Sequence, residues 1–210
     1  MTSGKYIVIE GNDGTGKSTQ VRLLRKYLAN IGIKSVEYHE PEGTPIANRI
    51  RDVIKNGKLV RDGYTNLLLF TAARHEIWKQ AERQLEKGIW VISARNYYST
   101  LAYQGYGEGI DIELIRQTTE QFTSQRYIKP DLAIILDLGD TARLKRLEQR
   151  GAPKTVDTFE ARDINFQDRV NNGYRQLANQ LNIATISADV DADSISKEII
   201  SNHLTTLIDD

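Results

Sequence analysis

Two kinds of apolar pattern alternate along the chain: short runs containing β-branched residues, and longer segments with helical spacing. The short runs resemble strands buried in a parallel sheet, where both faces are covered. They lie at residues 5–10, 35–39, 88–93, 132–138 and 183–188. The segments between them repeat apolar residues every three or four positions, which predicts amphipathic helices.

The first predicted helix carries Val21, Leu24 and Leu28 and ends at Gly32. Further helices are predicted at about residues 46–54, 65–87, 111–125, 141–150 and 161–181, and a last one carries Ile195 and Ile199. Strands that alternate with helices predict an α/β fold of three layers, a central parallel five-stranded sheet flanked by helices. We expect one domain over residues 1–210, in which the polar stretch near residues 150–160 is a short lid or an ordinary loop.

Composition narrows the possible functions of this domain. The 210 residues contain 28 Lys and Arg, 28 Asp and Glu, and no Cys, so thiolate metal sites, disulfides and cysteine nucleophiles are excluded. A net charge of zero disfavours a general nucleic-acid binder, which needs many cations against phosphates. The sequence has no apolar run near the roughly 18 residues that a membrane span needs, so we expect no membrane partner and a cytoplasmic protein.

A glycine-rich motif follows the first predicted strand. Residues 11–18 read GNDGTGKS, which matches the phosphate-binding P-loop pattern in its expected place between a strand and a helix. Backbone N–H groups and the helix N-terminus attract phosphate, Lys17 reaches the β- and γ-phosphates, and the Ser18 hydroxyl ligates Mg²⁺. The residues predicted to bind ATP are Gly11, Asn12, Asp13, Gly14, Thr15, Gly16, Lys17, Ser18 and Thr19.

Five segments follow one another along the chain: IEGNDGTGKSTQ, EPEGTP, LLLFTAARHE, STLAYQG and the residues between Phe166 and Ala178. In this order they resemble the thymidylate kinases and, more broadly, the P-loop nucleoside and nucleoside-monophosphate kinases. The resemblance covers most of the chain and implies a P-loop kinase fold. It also implies ATP and dTMP as substrates, Mg²⁺ as cofactor, and a homodimer that associates through helices.

The same resemblance implies an acceptor site for dTMP. The implied substrate-binding residues are Asp13, Glu40, Arg51, Phe70, Arg74, Arg95, Thr100, Tyr103 and Gln104. Phe70 would stack on thymine and Arg74, four residues later on the same helix face, would donate to the base. The plainer alternatives stay open: Phe70 and Tyr103 as packed aromatics, Arg51 and Gln104 as surface residues, and Asp13 as a turn carboxylate.

The chain departs from the family pattern at two positions. After the third strand the family has an Asp-Arg pair, whereas this chain has Ala94 and Arg95. The missing carboxylate would hold a magnesium-bound water and orient the arginine, and alanine can do neither. In the lid, the family's Asp-Arg-Phe-Glu becomes Asp-Thr-Phe-Glu, so Thr158 replaces an arginine.

Phosphoryl transfer needs cations around the transferred group. In the family that this chain resembles, a basic residue in the P-loop or arginines in the lid supply this charge. Position 14 is glycine here, so the resemblance implies a base from the lid, with Arg146, Arg150 and Lys154 as candidates. Arg150 is the first choice because it stands at the lid entrance, and Arg146 is expected to contact ATP. In the alternative interpretation, these bases take no part in catalysis and only stabilise the C-terminus of a helix through its dipole.

The predicted activity is transfer of the ATP γ-phosphate to dTMP, with Lys17, Arg95 and Arg150 as catalytic residues. One alternative is a deoxyribonucleoside kinase, which needs a carboxylate base near a hydroxyl and for which only Glu40 is available. Another is a nucleotide-binding pseudokinase with little turnover, which Ala94 and Thr158 would explain.

Overall fold

The computed structural model describes residues 3–150, 158–159 and 162–209. Its central sheet contains β1 (Tyr6–Glu10), β2 (Ser35–His39), β3 (Trp90–Ala94), β4 (Leu132–Asp137) and β5 (Ala184–Ser187). The strand order is β2-β3-β1-β4-β5, and every pairing is parallel. The predicted five-stranded parallel sheet is therefore confirmed.

Helices cover both faces of the sheet. The α-helices are α1 (Lys17–Asn30), α2 (Pro45–Lys55), α3 (Gly63–Glu86), α4 (Tyr97–Thr100), α5 (Ile112–Phe122), α6 (Gln125–Ile128), α7 (Asp140–Arg150), α8 (Ile164–Leu181), α9 (Ala192–Ile199) and α10 (Thr205–Asp209). A π-helix (Leu101–Gly107) continues α4, and a second one (Ile200–Leu204) joins α9 to α10. None of the helices within the described ranges is long and apolar enough to cross a membrane.

The helix at residues 97–107 was not predicted from the sequence. Its sequence, YYSTLAYQGYG, is rich in aromatic residues and glycine, which have low helix propensity. Burial compensates, because most of its side chains are enclosed and it packs along α8. Tertiary packing therefore decides the structure of this segment.

The central strand β1 is buried along its whole length and divides two hydrophobic cores. Tyr6 and Val8 point into the core beneath α3, the first π-helix and α8, whereas Ile7 and Ile9 point into the core beneath α1 and α9. This alternation is the period-two pattern of a strand with both faces covered. The three-layer arrangement places the ends of β1 and β3 side by side.

A buried carboxylate joins the sheet to two helices at those strand ends. Glu10 is fully buried and accepts hydrogen bonds from the backbone N–H groups of Asn96 (2.8 Å) and Ser99 (3.1 Å) and from the Tyr174 hydroxyl (2.9 Å). A buried charge is tolerated when its oxygens are fully hydrogen-bonded. Glu10 therefore fixes where α4 begins and where α8 crosses the end of β1.

We expect Glu10→Gln to lower the free energy of unfolding by about 2–4 kcal/mol, because an amide NH₂ would face donors that need an acceptor. The matched control is Glu37→Gln on β2, where a partly exposed carboxylate lies 3.7 Å from Arg25. That change should alter the unfolding free energy by no more than about 0.5 kcal/mol. Urea unfolding measures both, and equal losses would contradict the role assigned to Glu10.

Candidate active site

One cleft of about 380 Å³ opens where β1, β2 and β3 end. It brings together most of the residues predicted from the sequence. Those that line it are Asp13, Gly14, Gly16, Lys17, Ser18, Thr19, Glu40, Arg51, Phe70, Arg95, Thr100, Tyr103, Gln104 and Arg146. Gly11, Asn12, Thr15 and Arg74 lie behind the walls of the cleft.

The loop between β1 and α1 has the backbone of a phosphate cradle. Gly14 and Gly16 adopt positive φ angles of 88° and 96°, which L-residues with side chains rarely reach. Gly16 precedes the first turn of α1, so the N–H groups and the positive end of the helix dipole face the cleft. The buried Lys17 ammonium donates to the Asn12 carbonyl at 2.7 Å, which places its charge at the loop.

Asn12 braces this loop from behind. Its Nδ2 donates to Asn171 Oδ1 (2.6 Å) and Gln167 Oε1 (3.3 Å) on α8, and its Oδ1 accepts from the Tyr103 hydroxyl (2.7 Å). Asn12 Oδ1 also accepts from the N–H of Asp13. All capacity of the amide is used in holding the loop, so the side chain acts as a support.

Arg95 is held toward the cleft by several acceptors. Its Nη2 donates to Asp13 Oδ1 at 2.5 Å, and its Nη1 donates to Ser99 Oγ (2.9 Å) and the Tyr174 hydroxyl (3.3 Å). Arg95 itself has φ 76°, a strained backbone for a residue with a long side chain. The carboxylate absent at Ala94 is therefore not needed to orient this guanidinium.

Asp13 stays ionised in this arrangement. Burial acts to raise its pKa, but the positive charges of Arg95, Lys17 and Lys55 outweigh burial and hold the pKa well below its usual range. Lys55 also lines the cleft and was not predicted. It follows Arg51 by four residues on α2, and that spacing was the signal that could have identified it.

Ala94 forms the floor of the cleft beside the phosphate loop. It is 4% exposed and pairs with Ile9 of β1 and His39 of β2 across the sheet. His39 also lines the cleft. Across the described ranges, no three His, Cys, Asp or Glu residues are grouped so that they could hold a metal. Any divalent cation here would therefore depend on phosphate oxygens, water and the Ser18 hydroxyl.

Aromatic rings form the opposite end of the cleft. The Phe70 ring on α3 lies 5.7 Å from the ring of Phe159, which packs edge-on to Tyr103 at 5.8 Å. Phe159 is 6% exposed and lines the cleft, although the sequence had singled out its segment only for the missing arginine. Thr158, which stands where the family has that arginine, accepts a hydrogen bond through Oγ1 from Arg61 Nη2 at 3.3 Å.

Arg74 lies behind this wall and is buried. Its Nε donates to Glu40 Oε2 (3.0 Å) and the Tyr127 hydroxyl (2.6 Å), and its Nη2 donates to Thr100 Oγ1 (3.0 Å). Its Nη1 is buried and has no partner among the described residues. Burial raises the pKa of Glu40 although Arg74 and Tyr127 act to lower it. Tyr127 belongs to no motif, so its role could not be predicted from the sequence.

The remaining predicted basic residues have different partners in the structure. Arg51 forms an ion pair with Glu42 at 3.0 Å. Arg146 on α7 donates to the carbonyl of Ala188, just after β5, at 2.6 Å. The side chain of Arg150, the whole of Lys154 and most of the predicted lid lie outside the described residues.

Comparison with known proteins identifies the family of this chain. The family model for thymidylate kinase matches residues 9–199. The chain is 39% identical over 204 residues to the thymidylate kinase of Baumannia cicadellinicola, with 94% of each chain covered. It is 37% identical over 176 residues to that of Carboxydothermus hydrogenoformans, covering 83% of this chain and 84% of the relative. It is 38% identical over 190 residues to that of Magnetococcus marinus, covering 90% and 89%. The chain therefore belongs to the thymidylate kinase family.

Proposed function

We propose that this protein transfers the γ-phosphoryl group of ATP to the phosphate of dTMP, giving ADP and dTDP for dTTP synthesis. The observation that carries the proposal is a single cleft with a P-loop at one end and an aromatic wall at the other. Arg95 lies between them, held toward the cleft by Asp13. A nucleotide donor and a nucleotide acceptor would meet at this guanidinium.

ATP would lie along the P-loop, with its phosphates on the N–H groups of residues 11–19 and its far end near Arg146. Mg²⁺ fits this chain because the exposed Ser18 hydroxyl in the first turn of α1 is a single oxygen ligand beside the phosphate site. Magnesium commonly takes only one or two protein oxygens and completes its shell with phosphate and water. When bound, it would neutralise charge on the phosphates.

The acceptor would lie against the aromatic wall. Phe70 would stack on the thymine ring, and Arg74 would donate to the base edge through Nη1, which has no partner among the described residues and would have to become accessible from the cleft when the acceptor binds. Asp13 would approach the deoxyribose hydroxyl and Arg51 the monophosphate. The other residues proposed to contact the acceptor or position it are Glu40, Thr100, Tyr103 and Gln104.

The chemistry would need no protein nucleophile. An acceptor phosphate oxygen forms a bond to the γ-phosphorus while the bond from that phosphorus to the leaving ADP oxygen breaks. Lys17 and Arg95 would stabilise the charge of the transferred group, and Arg150 would add to it from the lid. Catalysis would come from positioning and fixed charges.

The site geometry disfavours both alternatives. A deoxyribonucleoside kinase would need Glu40 as a base, but Glu40 is bound to Arg74 and to the Tyr127 hydroxyl at 2.6 Å. A pseudokinase explanation rests on Ala94, yet Arg95 keeps its orientation through Asp13 and Ser99.

We expect ADP release with dTMP and Mg²⁺, and none above background with thymidine or after chelation of the metal. Ala94→Asp should change kcat by less than about tenfold, because Arg95 is already oriented, whereas Lys17→Ala should lower it by about 10²–10³-fold. A coupled ADP assay with dTMP, dUMP, thymidine and no acceptor measures these rates. Turnover with thymidine but not dTMP, or turnover only in Ala94→Asp, would contradict the proposal.

We also propose a homodimer, acting in the cytoplasm where ATP is abundant. The support is an apolar surface of α2 and α3, which is defined by Ile46, Val53, Tyr64 and Leu68. These side chains are between 38% and 62% exposed. Tyr64 and Leu68 are one turn apart on α3, so a second copy could cover both at once. Leu68 lies in the helix predicted at residues 65–87, and the structure turns its side chain outward.

Leu68→Glu should convert a dimer to a monomer, because a charge would be buried at its centre. Leu144→Glu is the matched control, since Leu144 is 45% exposed on α7, outside this surface. Light scattering after size-exclusion chromatography measures the mass of each variant. A monomeric wild type, or dissociation by both variants, would show that another surface or none is used.

A further inference from the structure

A buried carboxylate outside the predicted site contacts one of the predicted acceptor residues. Glu108 follows the first π-helix, and its side chain is only 7% exposed. Its Oε2 accepts from Gln104 Nε2 at 3.1 Å. Its Oε1 accepts from Asn66 Nδ2 (3.0 Å) and Arg162 Nη1 (3.3 Å). The two oxygens therefore serve different partners.

The position of Glu108 is tightly constrained. It packs closely against the first turn of α3, where Gly63 leaves room for it. A Cβ atom added to Gly63 would lie only 3.2 Å from Glu108 Cβ and 3.4 Å from Glu108 Oε2. The N-terminus of this 24-residue helix favours a negative charge, and Arg162 adds a positive one. Three donors and a helix terminus thus hold the carboxylate in place.

This carboxylate dictates which way the Gln104 amide faces. An ionised carboxylate can only accept, so the NH₂ group of Gln104 must point toward Glu108 and its oxygen must point away. Gln104 is 1% exposed and lines the cleft. Gln104 Oε1 takes part in no hydrogen bond within the described ranges. The side chain therefore offers an acceptor to whatever occupies the cleft.

We propose that Glu108 is a positioning residue that sets base specificity through Gln104. By holding the amide oxygen toward the acceptor base, it selects pyrimidines whose ring N3 carries a hydrogen, as in thymine and uracil. Cytosine has an unprotonated N3, which would meet the Gln104 oxygen as a second acceptor. The inference rests on the proposed function, in which a pyrimidine nucleotide occupies this cleft.

Neutralising Glu108 should release this constraint. In Glu108→Gln, the amide oxygen must still accept from Asn66 and Arg162, so the new NH₂ faces Gln104 and donates to Gln104 Oε1 once that amide has turned over. The turned orientation presents an NH₂ donor, which suits the N3 of cytosine. The variant should therefore bind dTMP less well and exclude dCMP less strictly.

Steady-state kinetics with dTMP and dCMP at saturating ATP tests this. In Glu108→Gln, the dTMP to dCMP ratio of kcat/KM should fall about five- to tenfold, the size of one neutral hydrogen bond. The change should lie mainly in the KM for the nucleotide acceptor, with the KM for ATP unchanged. Arg162→Gln is the matched control, since it removes a partner of Oε1 and leaves the bond from Gln104 to Oε2. Its ratio should stay within about twofold of wild type.

An unchanged ratio in Glu108→Gln, or an equal fall in Arg162→Gln, would overturn the proposal. If Glu108→Gln does not fold, Glu108→Asp keeps the charge but withdraws it from Gln104, and an unchanged ratio there overturns the proposal equally. A Gln104→Met change should lower the ratio alone and add nothing to Glu108→Gln, and additive losses would assign Glu108 another role. Failure of wild type to phosphorylate dTMP would instead defeat the proposed function.

Discussion

A network of hydrogen bonds from the buried Glu10 through the Tyr174 hydroxyl to Arg95 and Asp13 holds the reaction cleft together. Glu10 accepts from the Tyr174 hydroxyl, the same hydroxyl accepts from Arg95 Nη1 at 3.3 Å, and Arg95 reaches Asp13 at the cleft. Arg95 and Asp13 neutralise each other, and Glu10 is stabilised by hydrogen bonds from the Tyr174 hydroxyl and two backbone N–H groups. The floor of the cleft therefore depends on Glu10, a residue behind it.

This hydrogen-bond network explains how Ala94 can stand where the family has an aspartate. A carboxylate at that position would have two roles, orienting the neighbouring arginine and holding a magnesium-bound water. The first role is filled by Asp13, Ser99 and Tyr174. The second needs less from the protein, because magnesium in phosphoryl-transfer sites keeps several waters and binds substrate oxygens. Alanine at position 94 therefore removes a carboxylate whose role in orienting Arg95 is filled by other residues.

The sequence predicted the elements whose signal is local. Five strands and the P-loop depend on short apolar runs and glycine spacing, and all five strands were found within about two residues of their predicted bounds. The helix at 97–107 was missed because its stability comes from contacts with α8, distant in the chain. Tyr127 and Phe159 were missed as site residues for the same reason, since no spacing along the chain relates them to Arg74, Phe70 and Tyr103, which they contact. Glu108 follows Gln104 by four residues, but the helix that gives this spacing its meaning was itself not predicted.

The family motif on α8, between Phe166 and Ala178, is explained by the contacts that its side chains make at the end of β1. Gln167, Asn171 and Tyr174 recur at spacings of four and three, so they share one helix face, and that face meets the phosphate loop and Glu10. Gln167 also donates to the Phe159 carbonyl at 2.8 Å while accepting from Asn12. One helix thus supports both the loop that would hold the donor phosphates and the ring that closes the acceptor end. Because Gln167 contacts Asn12 and the Phe159 carbonyl at once, a substitution at this position of α8 would disturb both ends of the cleft.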